Sequence, residues 1–478
     1  MTNDAKDANT TTPRGAAPTD GAVQGSGPYQ ALRPSQGVGG APGNGAGSSA
    51  NAGKVGTFYA LGIRDYRLLW TSNLFASAGM WIQMATLGWV VYDLTGSGTL
   101  LGSVNAMRSI PMLLLAPLAG VAADRMDRRN LMIVTQVIIV LTTFAVAVGL
   151  LFDRVEIWHL FAFTLIAGTS QVFFMPAQQT VVFDLVPRPG IPNAVALNTA
   201  AFNITRVLGP SAAGYLITWL GPEGNFFAQS AAYVGVVISL AMIAFPRRQA
   251  PSGRGSVLRN VAEGFRYVAK NPNTRVLLVL AVLPPLLIIP AMMSLMPIFA
   301  SDVFHSGPTG LGFLMSASGL GGLLGALFTA SLGRFDRRGL LLLVMLFSAS
   351  VALLLFAFMD SMTAALPFLV VAGFCELTYM ATTQTLIQLS VPDEMRGRVI
   401  SLFMLIFGLM PMGSLAFGAG ADVIGAQGVV KVASIAALVV GLLIAVVSPR
   451  VRNLRLSQIG PPPTSGPEPV GAGMHRGV

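Results

Sequence analysis

Three ionisable residues stand deep inside long apolar runs: Arg108, Arg206 and Glu376. A charge in that setting costs about 2.5 kcal/mol or more to insert, so each is expected to face a cavity and to have work there. Two cations and one carboxylate are the parts of a switchable ion pair. Desolvation pushes a carboxylate toward its neutral form and a nearby cation pushes it back, so a carboxylate whose cation comes and goes can take up and release a proton. Glu376 is therefore the candidate proton-coupling group, with Arg206 or Arg108 as its partner. A fixed structural pair, or a simple hydrogen bond to a bound molecule, remains open as the alternative. Polar side chains recur at helical spacing around these charges: Gln171, Met175 and Gln178 on one run, Glu376, Met380 and Gln384 on another, and Asn73, Ser77 and Met84 on a third. These faces are read as the lining of a cavity.

The elements that would hold them are membrane helices. Of 478 residues, 53% are hydrophobic and 10% charged, and mean hydropathy is +0.67; a soluble domain lies well outside that range. Runs of ~20 apolar residues suffice to cross a ~30 Å hydrocarbon core. They fall at 68–92, 99–122, 130–152, 157–184, 193–219 and 226–246, and after a polar connector at 275–300, 309–332, 339–359, 363–390, 399–424 and 429–448. The expected organisation is a disordered N-terminal tail over 1–55, a six-helix bundle over 56–246, a connector over 247–273, a second bundle over 274–449 and a C-terminal tail over 450–478. In the connector Val257, Leu258, Val261, Phe265 and Val268 share one helical face, and Arg259, Glu263, Arg266 and Lys270 the other, the pattern of an interfacial helix.

Orientation follows from the 30 Lys and Arg, which tend to stay in the cytoplasm. Arg154 and Lys431 fall in loops on one side and Arg108 and Arg206 within spans; the others lie on the tails and on the loops that share their side, which predicts both termini in the cytoplasm of a bacterial plasma membrane. A net charge of +10 spread over short membrane loops reads as topology and lipid contact, not nucleic-acid binding. The one cysteine, Cys375, excludes an internal disulfide; His159, His305 and His475 have no metal-ligand spacing, and no Gly-x-x-x-x-Gly-Lys loop occurs, so neither a resident cofactor nor nucleotide hydrolysis is expected.

The chain also repeats itself. A shift of 205 residues sets Gly168, Gln171 and Met175 on Gly373, Glu376 and Met380, then Val186 and Pro187 on Val391 and Pro392; a shift of 209 sets Arg125, Asp127, Arg128 and Arg129 on Arg334, Asp336, Arg337 and Arg338. Two related halves suit a transporter bundle. Asp124, Arg125, Arg128 and Arg129 after Gly120, with Gly209, Pro210 and Gly214 in the fifth run, resemble the major facilitator superfamily. Asp93 to Ser97, Glu263 to Tyr267 and Val391 to Val399 are similar to landmarks of its branch containing the enterobactin exporter, the transmembrane secretion effectors. The resemblance covers about 58–449; Asp127 stands where the loop often has Gly, and Gly333 replaces the leading Asp of the second copy.

That resemblance implies an all-α membrane protein of twelve transmembrane helices in two pseudo-symmetric six-helix bundles. Its implied work is secondary active transport by alternating access, without enzymatic chemistry. Export of a small amphipathic molecule (siderophore, drug or secondary metabolite) by a monomer coupled to protons is the leading expectation; import, or a non-transporting receptor or scaffold, is the alternative. Asp124, Arg125, Arg128, Arg129 and Asp184 are expected to latch the cytoplasmic gate by pairing acid with base near helix ends. Gly209 and Pro210 are expected to bend the fifth helix and Gly214 to admit a close neighbour.

Overall fold

In hydrocarbon every backbone N–H and C=O must be satisfied within its own segment, so apolar runs of this length fold as helices. The computed structural model describes residues 56–245, 257–333, 335–447, 452 and 454. The expected tails, apart from Arg452 and Leu454, lie outside those residues, as do Arg334 and the first part of the connector. The first half comprises α1 (Arg64–Thr95), α2 (Gly98–Met107), α3 (Ser109–Arg125), α4 (Arg128–Leu151), α5 (Ile157–Leu185) and α6 (Ile191–Ala241). After α7 (Val257–Lys270) the second half comprises α8 (Pro272–Leu283), α9 (Ile289–Met293), α10 (Met296–Ile298), α11 (Gly307–Ser331), α12 (Arg338–Phe356), α13 (Met362–Ser390), α14 (Asp393–Ile406) and α15 (Met410–Val447).

Among the described residues, 10 helical stretches are long and apolar enough to cross a membrane. Two of them run for 54 residues, Arg188–Ala241 and Glu394–Val447, far beyond the ~20 that a bilayer requires. Each turns back at a glycine in the left-handed region, Gly221 (φ 72°) and Gly425 (φ 76°). Asn225 Nδ2 donates to Ala213 O at 3.3 Å, whereas residues this far apart on a straight helix would be separated by ~18 Å. The spans read from sequence on either side of Gly221 and Gly425 are thus pairs of helices joined without a loop. Large apolar side chains such as Leu114, Trp219 and Val423 are 69%, 74% and 82% exposed, an outer surface suited to lipid.

The repeat is visible in the backbone. Both α5 and α13 have 29 residues and end in an extended valine, Val186 (φ −114°, ψ 130°) and Val391 (φ −118°, ψ 132°). Gly168 of α5 lies against the Arg108 carbonyl between α2 and α3, and its counterpart Gly373 of α13 lies against the Ser318 carbonyl of α11.

The seventh run, 275–300, carries Pro284, Pro285, Pro290 and Pro297, which remove backbone donors, and it is broken. Helices α8 to α10 are interrupted by π-helical turns at Pro284–Ile288 and Phe299–Val303. Met292 and Met296, however, are buried in the hydrophobic core. Helix α7 packs on α14: Gly264 lies against the Arg398 carbonyl, Glu263 pairs with Arg398 at 2.7 Å, Val268 is buried and Phe265 is exposed. Leu454 is also held, its carbonyl accepting from Gly339 N at 3.1 Å.

Candidate functional site

The centre of the bundle is an ion pair between the halves. Glu376 is the middle residue of α13, and Arg206 lies midway between the start of α6 and its turn at Gly221. Arg206 Nη2 donates to Glu376 Oε2 at 3.5 Å, and both side chains are about nine-tenths buried, at 10% and 11% exposure. Helix α11 makes room for the pair. A methyl group on Gly319 would lie 2.6 Å from Arg206 O, and one on Gly322 would lie 2.7 Å from Arg206 Nη1. Arg206 Nε has no hydrogen-bond partner, so the guanidinium is not saturated by the pair.

From this pair toward the turns at Gly221 and Gly425 the halves are sealed; the opposite end, which carries the Arg125–Arg129 loop, is here called the basic end. Gly214 of α6 and Gly312 of α11 let the two backbones touch, since a methyl on either would lie 2.6 Å from the Pro308 or Pro210 carbonyl. Small residues are the means by which membrane helices approach closely. The seam is stitched by Ser211 with Ser316 (2.5 Å between hydroxyls) and Thr218 with Thr309 (2.8 Å). The only residue of α6 with non-helical φ/ψ is Gly221. Gly209 lies against Trp81, and the Pro210 carbonyl lies under Gly312 of α11.

A second seam joins α2 to α15. The Asp422 carboxylate accepts from Gly98 N (2.6 Å), Thr99 N (2.9 Å), Thr99 Oγ1 (2.6 Å) and Ser97 Oγ (3.1 Å). A helix start leaves N–H groups without intrahelical partners; here the second half caps a helix of the first. Beside it Tyr92 donates to Asp302.

Among the described residues, every hydrogen bond between the halves belongs to these seams or to the central pair. The polar faces of α1, α5 and α13 lie toward the side that is not stitched. Gln178 donates to Asn73 (2.7 Å), which donates to Asn198 (3.3 Å). Ser77, Gln171 and Gln384 are half-buried and make no hydrogen bond among the described residues. Met380 departs from the expectation: it is 8% exposed and packed in the hydrophobic core. Arg108 is half-buried where α2 gives way to α3, and among the described residues it makes no ion pair. The partner of Glu376 is Arg206.

At the basic end Arg128 pairs with Asp184 at 2.8 Å, Arg129 donates to Ala241 O at 2.5 Å, and Asp127 caps α4 through Asn130 N at 2.9 Å. Arg125 is exposed, and the Asp124 side chain lies outside the described residues. Among the described residues the hydrogen bonds of Asp127, Arg128 and Arg129 stay inside the first half. Arg128 and Arg129 at the start of α4 thus reach α5 and α6 of the same half.

The profile of the transmembrane secretion effectors matches residues 55–461. The chain belongs to the transmembrane secretion effector family. Multidrug efflux pump Tap of Mycolicibacterium fortuitum is 27% identical over 399 residues, 82% of this chain and 97% of that protein. The staphyloferrin A transporter of Staphylococcus aureus is 23% identical, covering 75% of this chain and 90% of that one. Among solved structures, the nucleoside transporter NupG matches with a TM-score of 0.65 at 14% identity, over 80% of this chain and 98% of that chain. A bacterial homologue of the human lysosomal transporter Spinster, inward-facing and occupied, matches with a TM-score of 0.65 at 14% identity, over 85% and 99%. The fold is that of the major facilitator superfamily, and the protein is a multi-pass membrane transporter, not an enzyme.

Sequence reasoning did not find Asp422 or Asp302 in this secretion effector, nor the glycines of α11. A signal for Asp422 existed: Ser97, Gly98 and Thr99 read as a helix start, with an acid left over at the end of the run closing at 424. Nothing in one sequence says that the two meet. Tyr379, whose hydroxyl donates to Leu280 O at 2.9 Å and ties α13 to α8, was equally unmarked.

Proposed function

We propose that this chain exports small amphipathic molecules from a bacterial cell across the inner membrane, with the basic end and both termini in the cytoplasm, and that proton movement through Glu376 drives the cycle. The observation that carries the reading is the buried Arg206–Glu376 pair, which joins the two halves below a seal made of hydrogen bonds and small-residue contacts. With the basic end in the cytoplasm, this conformation is open inward. To open outward, α6 must leave α11 and α2 must leave α15, and Arg206 must shift relative to Glu376. A carboxylate that loses its cation in a low-dielectric site takes a proton, so rocking of the halves and protonation are linked. Export over import is supported by relatives named as efflux pumps, the Tap protein and macrolide efflux protein A of Streptococcus pyogenes among them. The protein needs no partner chain in this scheme and is read as a monomer.

The test is Glu376→Gln, which keeps shape and hydrogen bonding but cannot titrate. In vesicles with an imposed pH gradient, scored with anionic, neutral and cationic amphipathic dyes, the variant should insert normally, still exchange dye, and lose gradient-driven accumulation. Uphill pumping equal to wild type removes Glu376 from the coupling role and makes Asp184 the next candidate.

A further inference from the structure

The described arginines that are not exposed are Arg108, Arg128, Arg129, Arg206, Arg338, Arg396 and Arg398. All but one have partners. Arg128, Arg206 and Arg398 pair with carboxylates, Arg129 and Arg396 donate to the Ala241 and Gln388 carbonyls, and Arg338 donates to the Phe335 and Gly333 carbonyls at 3.0 and 2.9 Å. Arg338 shows what a structural arginine looks like in this protein: buried, with carbonyls in front of its N–H groups. Arg108 has neither a carbonyl nor a carboxylate before it among the described residues.

Its surroundings are neutral. The titratable group that its charge acts on is Tyr233, and Tyr233 in turn sits with Gln83 and Gln229, which bond to each other at 3.0 Å. Because Gly168 has no side chain, α5 rests on the Arg108 carbonyl; Gln171, half-buried and without a hydrogen bond among the described residues, follows about one helical turn further along α5. The break between α2 and α3, with Pro111 unable to donate to the preceding turn, presents residue 108 at the middle of the membrane pass. Arg206 and Glu376 offset one another, which leaves the interior one positive charge in excess.

We propose that Arg108 is a subsite for an anionic group, a carboxylate or a phosphate-like oxyanion, on the transported molecule. An unpaired guanidinium in an apolar helix is costly to keep, and a planar oxyanion takes two of its N–H donors at once. The inference rests on the export reading in one respect: an anion leaving a cell whose interior is negative moves with the membrane potential, by about 2.3 kcal/mol per charge per 100 mV.

The test uses the full-length protein in lipid nanodiscs and two fluorescent probes of equal size, N-dansyl-leucine, an anion, and N-dansyl-leucinamide, which is neutral. Wild type should bind the acid about tenfold more tightly than the amide. Arg108→Gln should bind both alike, with amide affinity unchanged within about twofold, and Arg108→Lys should retain most of the preference, as a cation still faces the anion. Equal binding by wild type, no binding of either probe, or a preference that survives Arg108→Gln overturns the assignment. The comparison of acid with amide on wild type stands even if a variant fails to fold. A protein that binds the acid through Arg108 but does not pump it would keep this subsite and sink the export reading.

Discussion

Asp422 is an exposed part of the seal and offers a clean perturbation. Its carboxylate accepts four hydrogen bonds from Ser97, Gly98 and Thr99 across the two halves. Four such bonds at about 1 kcal/mol each would sum to about 4 kcal/mol, but Asp422 is exposed and water recovers more than half, so the net effect on the sealed state is about 1–2 kcal/mol, within the range for loss of an N-capping acceptor. That corresponds to a shift of roughly 5- to 30-fold in the ratio of sealed to unsealed forms. The assay is a spin-label distance between Leu94 and Val423, on opposite halves and 50% and 82% exposed; the one native thiol, Cys375, is buried and does not compete for label. Asp422→Ala should raise the long-distance population by that factor. Asp422→Asn, which keeps one carbonyl acceptor, should fall between Ala and wild type. A distance distribution unchanged in Asp422→Ala would refute the view that this cap holds the halves together.

The seam between α6 and α11 predicts that Gly312→Val lowers both thermal stability, by about 1–3 kcal/mol as overpacking does, and flux, because the new side chain meets the Pro210 carbonyl and Ser211 Cα and not a flexible side chain. Gly62→Ala, with nothing within 4 Å of the added methyl, is the control and should leave melting temperature and flux unchanged. For topology, reporters fused near Arg128, Arg259 and Arg337 should score cytoplasmic and those near Glu223 and Asp360 external; an external signal at Arg259 would sink the reading of two halves joined on the inner side.

What the sequence reveals here is whatever leaves a periodic or compositional trace. Helices, their order and the internal repeat are legible because apolar length and a shift of about 205 residues are properties of the string itself, and α5 and α13 match residue for residue in length. Glu376 and Arg206 are legible because charge is rare in apolar runs. Their pairing in preference to Arg108 with Glu376 is not, since it depends on how α6 and α13 approach around Gly319 and Gly322 of α11, a third helix that carries no charge at that level. Met380 shows the converse error. Helical spacing put it on the face of Glu376 and Gln384, but a shared face does not say how deep each side chain sits, and Met380 is covered. The turns at Gly221 and Gly425 were read as ordinary loops because each glycine reverses the chain in a single step that hydropathy cannot separate from a short connection.

The two kinds of contact between the halves differ in what it costs to break them, and under the proposed function that difference says where a proton would act. The carboxylate of Asp422 is exposed, and water replaces its lost hydrogen bonds at a net cost of about 1–2 kcal/mol in all. The small-residue seam gives up packing, two hydroxyl pairs, Ser211 with Ser316 and Thr218 with Thr309, and the bond from Ser211 N to Ser316 Oγ. Both can open and reclose without any chemical change. The central pair cannot, because separating a buried arginine from its carboxylate leaves two uncompensated charges, a cost of about 3–5 kcal/mol. A proton taken up by Glu376 removes one of those charges, and an anion or water reaching Arg206 Nε, which has no hydrogen-bond partner, relieves the other. Under the proposed proton coupling, the step whose energy would depend on protons is separation at the pair, with the seal above it following.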